Sequence, residues 1–148
     1  MLKVKLSHND SGSFLELPSI PDDILPTVTV VTPTCCREDL FQIAIRNFKN
    51  FQYPKEKLFW IILDDSPTDS LKNIIPDNKN IRYIHSETKE KIGKKRNILA
   101  QESKTDVIVH MDDDDYYYPD SIKIRVISMI AHKRQVSGCM EYNCYNLV

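Results

Sequence analysis

Two apolar runs that each stop in a block of aspartates constrain this chain more than any other feature. Leu58 to Asp65 reads LFWIILDD, and Asp106 to Asp115 reads DVIVHMDDDD. Large and β-branched apolar residues without polar alternation mark a strand covered on both faces, as in a parallel sheet. TVTVVTP, Thr27 to Pro33, is a third such run, and the alternating Ile81 to Ser86 is a weaker fourth. Segments of helical period lie between them. Leu40, Phe41, Ala44, Ile45 and Phe48 share one face, with Arg37 near that helix's start. Asp69 to Ile75 reads as a short helix ended by Pro76. Glu90 to Ser103 reads as a polar helix with Gly93 in its first turns, and after Pro119 Ile122, Val126, Ile127 and Ile130 turn inward. Ser137 onward reads as a fifth strand. Strands alternating with helices predict an α/β fold, a mostly parallel sheet flanked by helices.

The 148 residues predict one domain. Residues 1–26, with Pro18, Pro21 and Pro26, read as an N-terminal arm or edge strand, and residues 27–148 as the domain itself. A net charge of -1 leaves no basic stripe for nucleic acid. No apolar run approaches the roughly 20 residues of a membrane span, and MLKVKLSHND lacks the apolar stretch of a secretory leader. The cysteine pairs Cys35/Cys36 and Cys139/Cys144 lack zinc-site spacing. They read as small buried hydrophobes in a reducing compartment, hence a cytoplasmic protein or one peripheral to a membrane. With only three glycines, the chain has neither GxGxxG nor GxxxxGK[ST], which argues against dinucleotide and P-loop enzymes.

Acids at strand ends carry the functional signal, because open α/β sheets bind ligands beyond the carboxyl ends of their strands. Asp64 and Asp65 close one strand, and Asp112, Asp113, Asp114 and Asp115 follow another. Like charges this close favour a cation, and hard oxygen ligands suit Mg²⁺ or Mn²⁺ carrying substrate phosphates. The plain alternative is a solvated acidic loop or a set of helix caps; the position directly after an apolar strand favours metal. An EF-hand is excluded by the missing glycine at loop position six and by Lys123 at position twelve. Asp64 and Asp65 could cap the turn SPTD, or accept from a base N–H or ribose hydroxyls. GKKRN, Gly93 to Asn97, brings positive charge suited to a diphosphate, or a solvated basic helix face.

Four pieces occur in order: VVTPTCCRED after the first strand, IILDDSPTDS after the second, GKKRN before the fourth, and HMDDDDYYYPDSI after it. On these, from about Thr27 to Cys144, the chain resembles the GT-A glycosyltransferases of the large inverting family 2. The resemblance implies a Rossmann-like GT-A domain that binds a nucleotide-diphosphate sugar. Thr32, Pro33, Thr34 and Arg37 would pack around base and ribose, and Asp65, beside Asp64, would read the base, often uracil. Arg96 and Asn97 match a donor-site motif near the metal loop, with Lys94, Lys95 or Arg96 stabilising the leaving group. Counting back from Pro119 makes Asp112, Asp113 and Asp114 the DXD equivalent. Asp112 would contact ribose or sugar and share with Asp114 a Mn²⁺ or Mg²⁺ ion, while Asp115 would bind the donor sugar or orient Asp114. Tyr117 and its neighbours would line the sugar pocket or serve as packing aromatics.

The implied donor is a UDP-sugar, with a GDP-sugar second; the implied acceptor is a glycan, lipid or protein hydroxyl, activated by a carboxylate base. Family members continue into an acceptor-binding half that carries this base. Here the sequence stops at Val148, and Glu141 is the one acid on the last strand, with nothing marking it as the base. The expectation is therefore a chain truncated after the nucleotide-binding half, with the base outside it. A non-catalytic nucleotide-sugar or partner-binding module is the alternative. A metal-dependent nucleotidyltransferase ranks lower, because PTCCRED stands where its glycine-rich loop should be. A receiver domain would carry its acidic pair after the first strand, not the second.

Overall fold

The computed structural model describes residues 5–9 and 12–138. Two strands, β1 (Lys5–Asn9) and β2 (Gly12–Glu16), pair antiparallel as a separate hairpin. The main sheet holds β3 (Val28–Thr34), β4 (Leu58–Asp64), β5 (Ile81–His85) and β6 (Val107–His110) in the order β5-β4-β3-β6, all parallel. Helices α1 (Phe41–Asn50), α2 (Ile92–Glu102) and α3 (Ser121–His132) connect or follow them. The expected short helix before Pro76 is a single 3₁₀ turn, Ser70–Asn73, anchored by the fully buried Leu71. The expected fifth strand falls largely on residues 139–148, outside the described residues, as do Cys139, Glu141 and Cys144.

The unbroken apolar run of β3 is explained by its central place: all seven residues are buried, between β4 and β6 and under helices on both faces. Pro33, which has no N–H to donate, is accommodated because pairing with β6 ends at Val31↔His110. Successive residues serve opposite faces. Val30, Trp60 and Ile62 join α1 and α3 in the larger core; Val31, Ile61 and Leu63 join Leu99 of α2 in the smaller one. Trp60 is the centre of the first core, stacked between Phe41 at 5.8 Å and Phe48 at 4.9 Å, both from α1. Its indole N–H is satisfied by Thr32 Oγ1 at 2.9 Å. Burying side chains of this size contributes about 1.5–3 kcal/mol each.

Two residues expected inside lie at the surface. Leu40 is 38% exposed, because α1 starts one residue later and Leu40 serves as its cap. Ile130 is also 38% exposed. Twelve helical residues of α3 span about 18 Å, whereas the four residues of β6 span about 13 Å, so the last turn overruns its strand. The segment before β3 is part of the body: Ile20 and Leu25 enter the main core, and the Lys57 ammonium donates to the carbonyls of Asp22, Asp23 and Leu25.

Candidate functional site

Parallel strands deliver all their carboxyl ends to one edge, so β3, β4 and β6 bring Thr34, Asp64 and the segment after His110 together. The two acidic groups meet there in different states. Asp64 and Asp65 are buried. Asp64 accepts from the Ser66 N–H at 2.9 Å and the Ser66 hydroxyl through Oδ1, and from Tyr83 at 2.9 Å through Oδ2. Burial, together with hydrogen bonds to Asp69 and Asp64, pushes the Tyr83 hydroxyl far above its ordinary range.

Asp65 accepts from the Glu90 N–H at 2.8 Å and from Lys95 Nζ at 2.8 Å; its side chain has no solvent exposure and that of Lys95 has 7%. Burial alone would raise this carboxyl, but the Glu90 N–H and the Lys95 ammonium outweigh it and hold the group below its ordinary value. The same ammonium donates to the Thr34 carbonyl at 2.9 Å. The sequence offers Lys94, Lys95 and Arg96 as the charges of the site, and the structure separates the two lysines. Lys94 projects to the surface and pairs with Glu90 at 2.6 Å, one helical turn before it. Lys95 is the lysine that α2 turns inward. Only the helical phase separates the two; both sit in GKKRN.

The acid loop alternates. Asp113 turns in, 7% exposed, and accepts from Thr34 Oγ1 at 2.5 Å. Asp112 and Asp114 turn out, and each meets an arginine: Arg96 at 3.2 Å from α2, and Arg37 at 2.8 Å from the loop between β3 and α1. Burial pushes the Asp113 carboxyl up, with Asp114 adding to it and the Thr34 hydroxyl holding it back. Asp115 is raised by burial and by its three acidic neighbours. Asn47, buried on α1, fastens the loop from below, donating to the Asp115 carbonyl at 2.8 Å and accepting from the Tyr117 N–H at 3.2 Å. Nothing in the helical pattern marks Asn47, which reads as one polar residue on an otherwise apolar face.

The remaining candidates fall into place around these. Thr32 and Pro33 are buried in β3, and the Thr32 hydroxyl is engaged by Trp60. Asn97 is exposed on α2. A cleft of about 310 Å³ lies between the β3–α1 loop and the turn after β4, lined by Cys36, Arg37, Ser66 and Thr68 among others. Cys36 holds its backbone at φ 54, and its N–H donates to Ser66 Oγ at 2.7 Å, which ties the two walls together.

Among the described residues no three His, Cys, Asp or Glu side chains converge as a ready-made metal cage. The donor chemistry nevertheless fits Mg²⁺ or Mn²⁺. Such ions take one or two carboxylates and complete their shell with water and substrate phosphate, and Asp112 and Asp114 offer two exposed carboxylates on one loop.

Residues 29–145 match the family described as glycosyl transferase family 2, and the chain belongs to that family. Its fold is similar to that of S. aureus TarS 1-349, with a TM-score of 0.65 and 22% identity over 72% of this chain and 33% of that one. It is similar as well to the mannosyltransferase PcManGT from Pyrobaculum calidifontis, solved in complex with GDP-Man and Mn²⁺: TM-score 0.63, 20% identity, 77% of this chain and 35% of that one. TarS 1-349 in complex with UDP-GlcNAc matches at 0.65 and 21% identity, over 72% of this chain and 32% of that one. At these identities the likeness is one of fold. The chain spans about a third of the length of these structures. No curated protein matches the sequence significantly. The parallel sheet flanked by helices is thus the GT-A arrangement, and no helix among the described residues is long and apolar enough to cross a membrane.

Proposed function

We propose that this chain forms the donor-binding part of a metal-dependent glycosyltransferase that holds a nucleotide-diphosphate sugar across the carboxyl ends of β3, β4 and β6. The observation that carries the reading is the pairing of Asp112 with Arg96 and of Asp114 with Arg37. Asp112 and Asp114 are each held by a guanidinium from a different element. A divalent cation bound to a diphosphate carries both kinds of partner these side chains need. The carboxylates pass to the cation and the guanidiniums to the phosphate oxygens, so no charge is left unmatched by the exchange.

In this reading Asp112 and Asp114 hold Mn²⁺ or Mg²⁺, which when bound supplies Lewis-acid stabilisation of the leaving nucleoside diphosphate. Arg37 and Arg96 bind and orient the phosphates and stabilise the charge that develops on them. Asn97, exposed on the same helix as Arg96, offers a further polar contact to the donor. The cleft beside Arg37 takes the base and ribose. Behind that cleft Asp64 holds the lining residue Ser66 and accepts from Tyr83, Asp65 is engaged by Glu90 and Lys95, and Thr34 links the strand ends to the acid loop. Thr32 and Pro33 act from within β3, buried behind the loop that carries Arg37. Asp113 braces the loop, and Asp115, with its raised carboxyl, faces the donor sugar. The acceptor is a hydroxyl compound, and its deprotonation falls to a carboxylate base outside the residues named here.

Calorimetric titration with UDP and then GDP, with and without Mn²⁺, tests this. Metal-dependent binding of either nucleotide, lost in Asp114→Ala, is the expected result. Failure of both nucleotides to bind with any metal present would remove the donor-site reading, leaving the acid loop as a surface feature of the fold.

A further inference from the structure

Tyr116, Tyr117 and Tyr118 follow the acid loop directly, and the fold treats them differently. Tyr117 turns inward. Its hydroxyl accepts from the Asp112 N–H at 3.2 Å, the Arg125 guanidinium lies 5.6 Å from its ring centre, and its own N–H is taken by Asn47. Tyr116 and Tyr118 turn outward, 62% and 64% exposed, with their rings meeting edge to face at 5.3 Å and 78°. Asn47 fixes the backbone at residues 115 and 117, so this pair is displayed from a pinned segment. Two ordered aromatic rings left in water form a preorganised surface for a ligand with an apolar face.

The position of the pair narrows the ligand. Arg37 and Arg96, the charges suited to a diphosphate, come from the β3–α1 loop and from α2. The tyrosines are tied instead to α3: Tyr117 through Arg125, and Tyr118 as a wall of a cleft of about 420 Å³ that it shares with Leu17, Ile124, Arg125 and Ser128. The rings therefore border the acid loop on the side of α3, the sheet face opposite α2, which carries Arg96. When a displacement inverts a carbon, the entering and leaving groups stand on opposite sides of it. A diphosphate leaving on the arginine side leaves the α3 side to the incoming hydroxyl.

We propose that Tyr116 and Tyr118 form an acceptor subsite, in which a pyranose ring of a saccharide acceptor stacks its C–H face on one tyrosine ring while the other, nearly perpendicular, closes its side. The inference rests on the donor reading above. A pyranose has an apolar face of axial C–H bonds and a rim of hydroxyls, which matches the Tyr118 ring bordered by the polar Asp120, Ser121 and Ser128 of its cleft. The inward Tyr117 is a positioning residue and takes no part in stacking.

Saturation-transfer NMR of the full chain with the methyl pyranosides of glucose, galactose, mannose and N-acetylglucosamine, with and without UDP and Mn²⁺, tests the platform. At least one pyranoside should receive saturation mainly on its ring C–H protons. Its affinity should fall about tenfold in Tyr116→Ala and in Tyr118→Ala and survive in Tyr118→Phe, as expected for a stacked ring. UDP–Mn²⁺ binding by the same variants should stay within about twofold of the parent, as for independent sites. No transfer to any pyranoside, or binding indifferent to both alanine variants, overturns the assignment. Loss of UDP–Mn²⁺ affinity in the tyrosine variants overturns it as well, by moving the rings to the donor side. A chain that binds a pyranoside through these rings but no nucleotide fails the donor reading alone, and the saccharide platform stands.

Discussion

Two groups of aspartates sit at the same edge of one sheet, and the fold uses them in opposite ways. Asp64 and Asp65 lie in the sheet's middle, where β4 is flanked by β3 and β5; they are buried and occupied by neighbours on the chain. Asp112 and Asp114 follow β6, the edge strand among the described residues, and among those residues their carboxylates are held by half-exposed arginines. A carboxylate buried at the strand end must be satisfied by the protein itself, since desolvation costs more than an unpaired acid can recover. One on an edge loop can remain available, because water and mobile guanidiniums screen it at little cost. Residue type alone does not separate the two roles. Strand order does.

The sharpest break in this contrast comes from Lys95. Lys95→Met leaves Asp65 charged and buried without its cation, and should cost about 3–5 kcal/mol in urea unfolding. Asp114→Ala should cost less than about 1 kcal/mol while abolishing metal-dependent nucleotide binding. Equal losses of stability from the two would erase the distinction between the groups.

Asp64→Ala comes next, at about 1–3 kcal/mol, because the Tyr83 hydroxyl and the Ser66 N–H lose their acceptor. Acid titration sharpens the comparison further. The Asp65 carboxyl is lowered from its ordinary 3.8, so it binds its proton less tightly folded than unfolded. Its stabilisation is complete above 3.8 and drains as pH falls through that value and below it. Asp113 and Asp115 are raised, so protonating them on mild acidification favours the folded state, starting above 3.8. Stability followed from pH 7 to pH 2 should accordingly lose part of its steep acid limb in Asp65→Asn, and part of any rise that precedes that limb in Asp113→Asn. The opposite assignment of the two features would contradict the geometry.

The smallest effect belongs to Lys94. Its exposed pair with Glu90, an i,i+4 contact, is worth about 0.3–0.5 kcal/mol. Lys94→Ala should therefore unfold within about 0.5 kcal/mol of the parent. It should also titrate UDP–Mn²⁺ almost unchanged, whereas Arg96→Ala weakens that titration clearly.

The central strands and the placement of the acids were legible in the residues, because a buried parallel strand needs an unbroken apolar run and its end is where such a run stops. What escaped depended on angles and lengths that composition does not carry. Lys94 and Lys95 differ by about 100° around one helix axis, and that angle decides which of them is buried beside Asp65. Ile130 follows the inward period of α3 but lies past the end of β6. In sequence the hairpin of β1 and β2 shows only as an arm or edge strand, since its two strands are short and mixed in composition. The inward turn of Tyr117 between two outward neighbours follows from Asn47, a partner 70 positions earlier.

Asn47 spends both ends of its amide on the loop, the NH₂ on the Asp115 carbonyl and the oxygen on the Tyr117 N–H. Of the other side chains, aspartate lacks the donor, glutamine is one methylene too long, and histidine presents its nitrogens at different angles. A single codon in the first helix therefore dictates the bend of a loop far along the chain, and with it the spacing between the acids and the tyrosines. Natural variation could reshape either end of that loop one residue at a time, but the splint between them has no near synonym in the genetic alphabet.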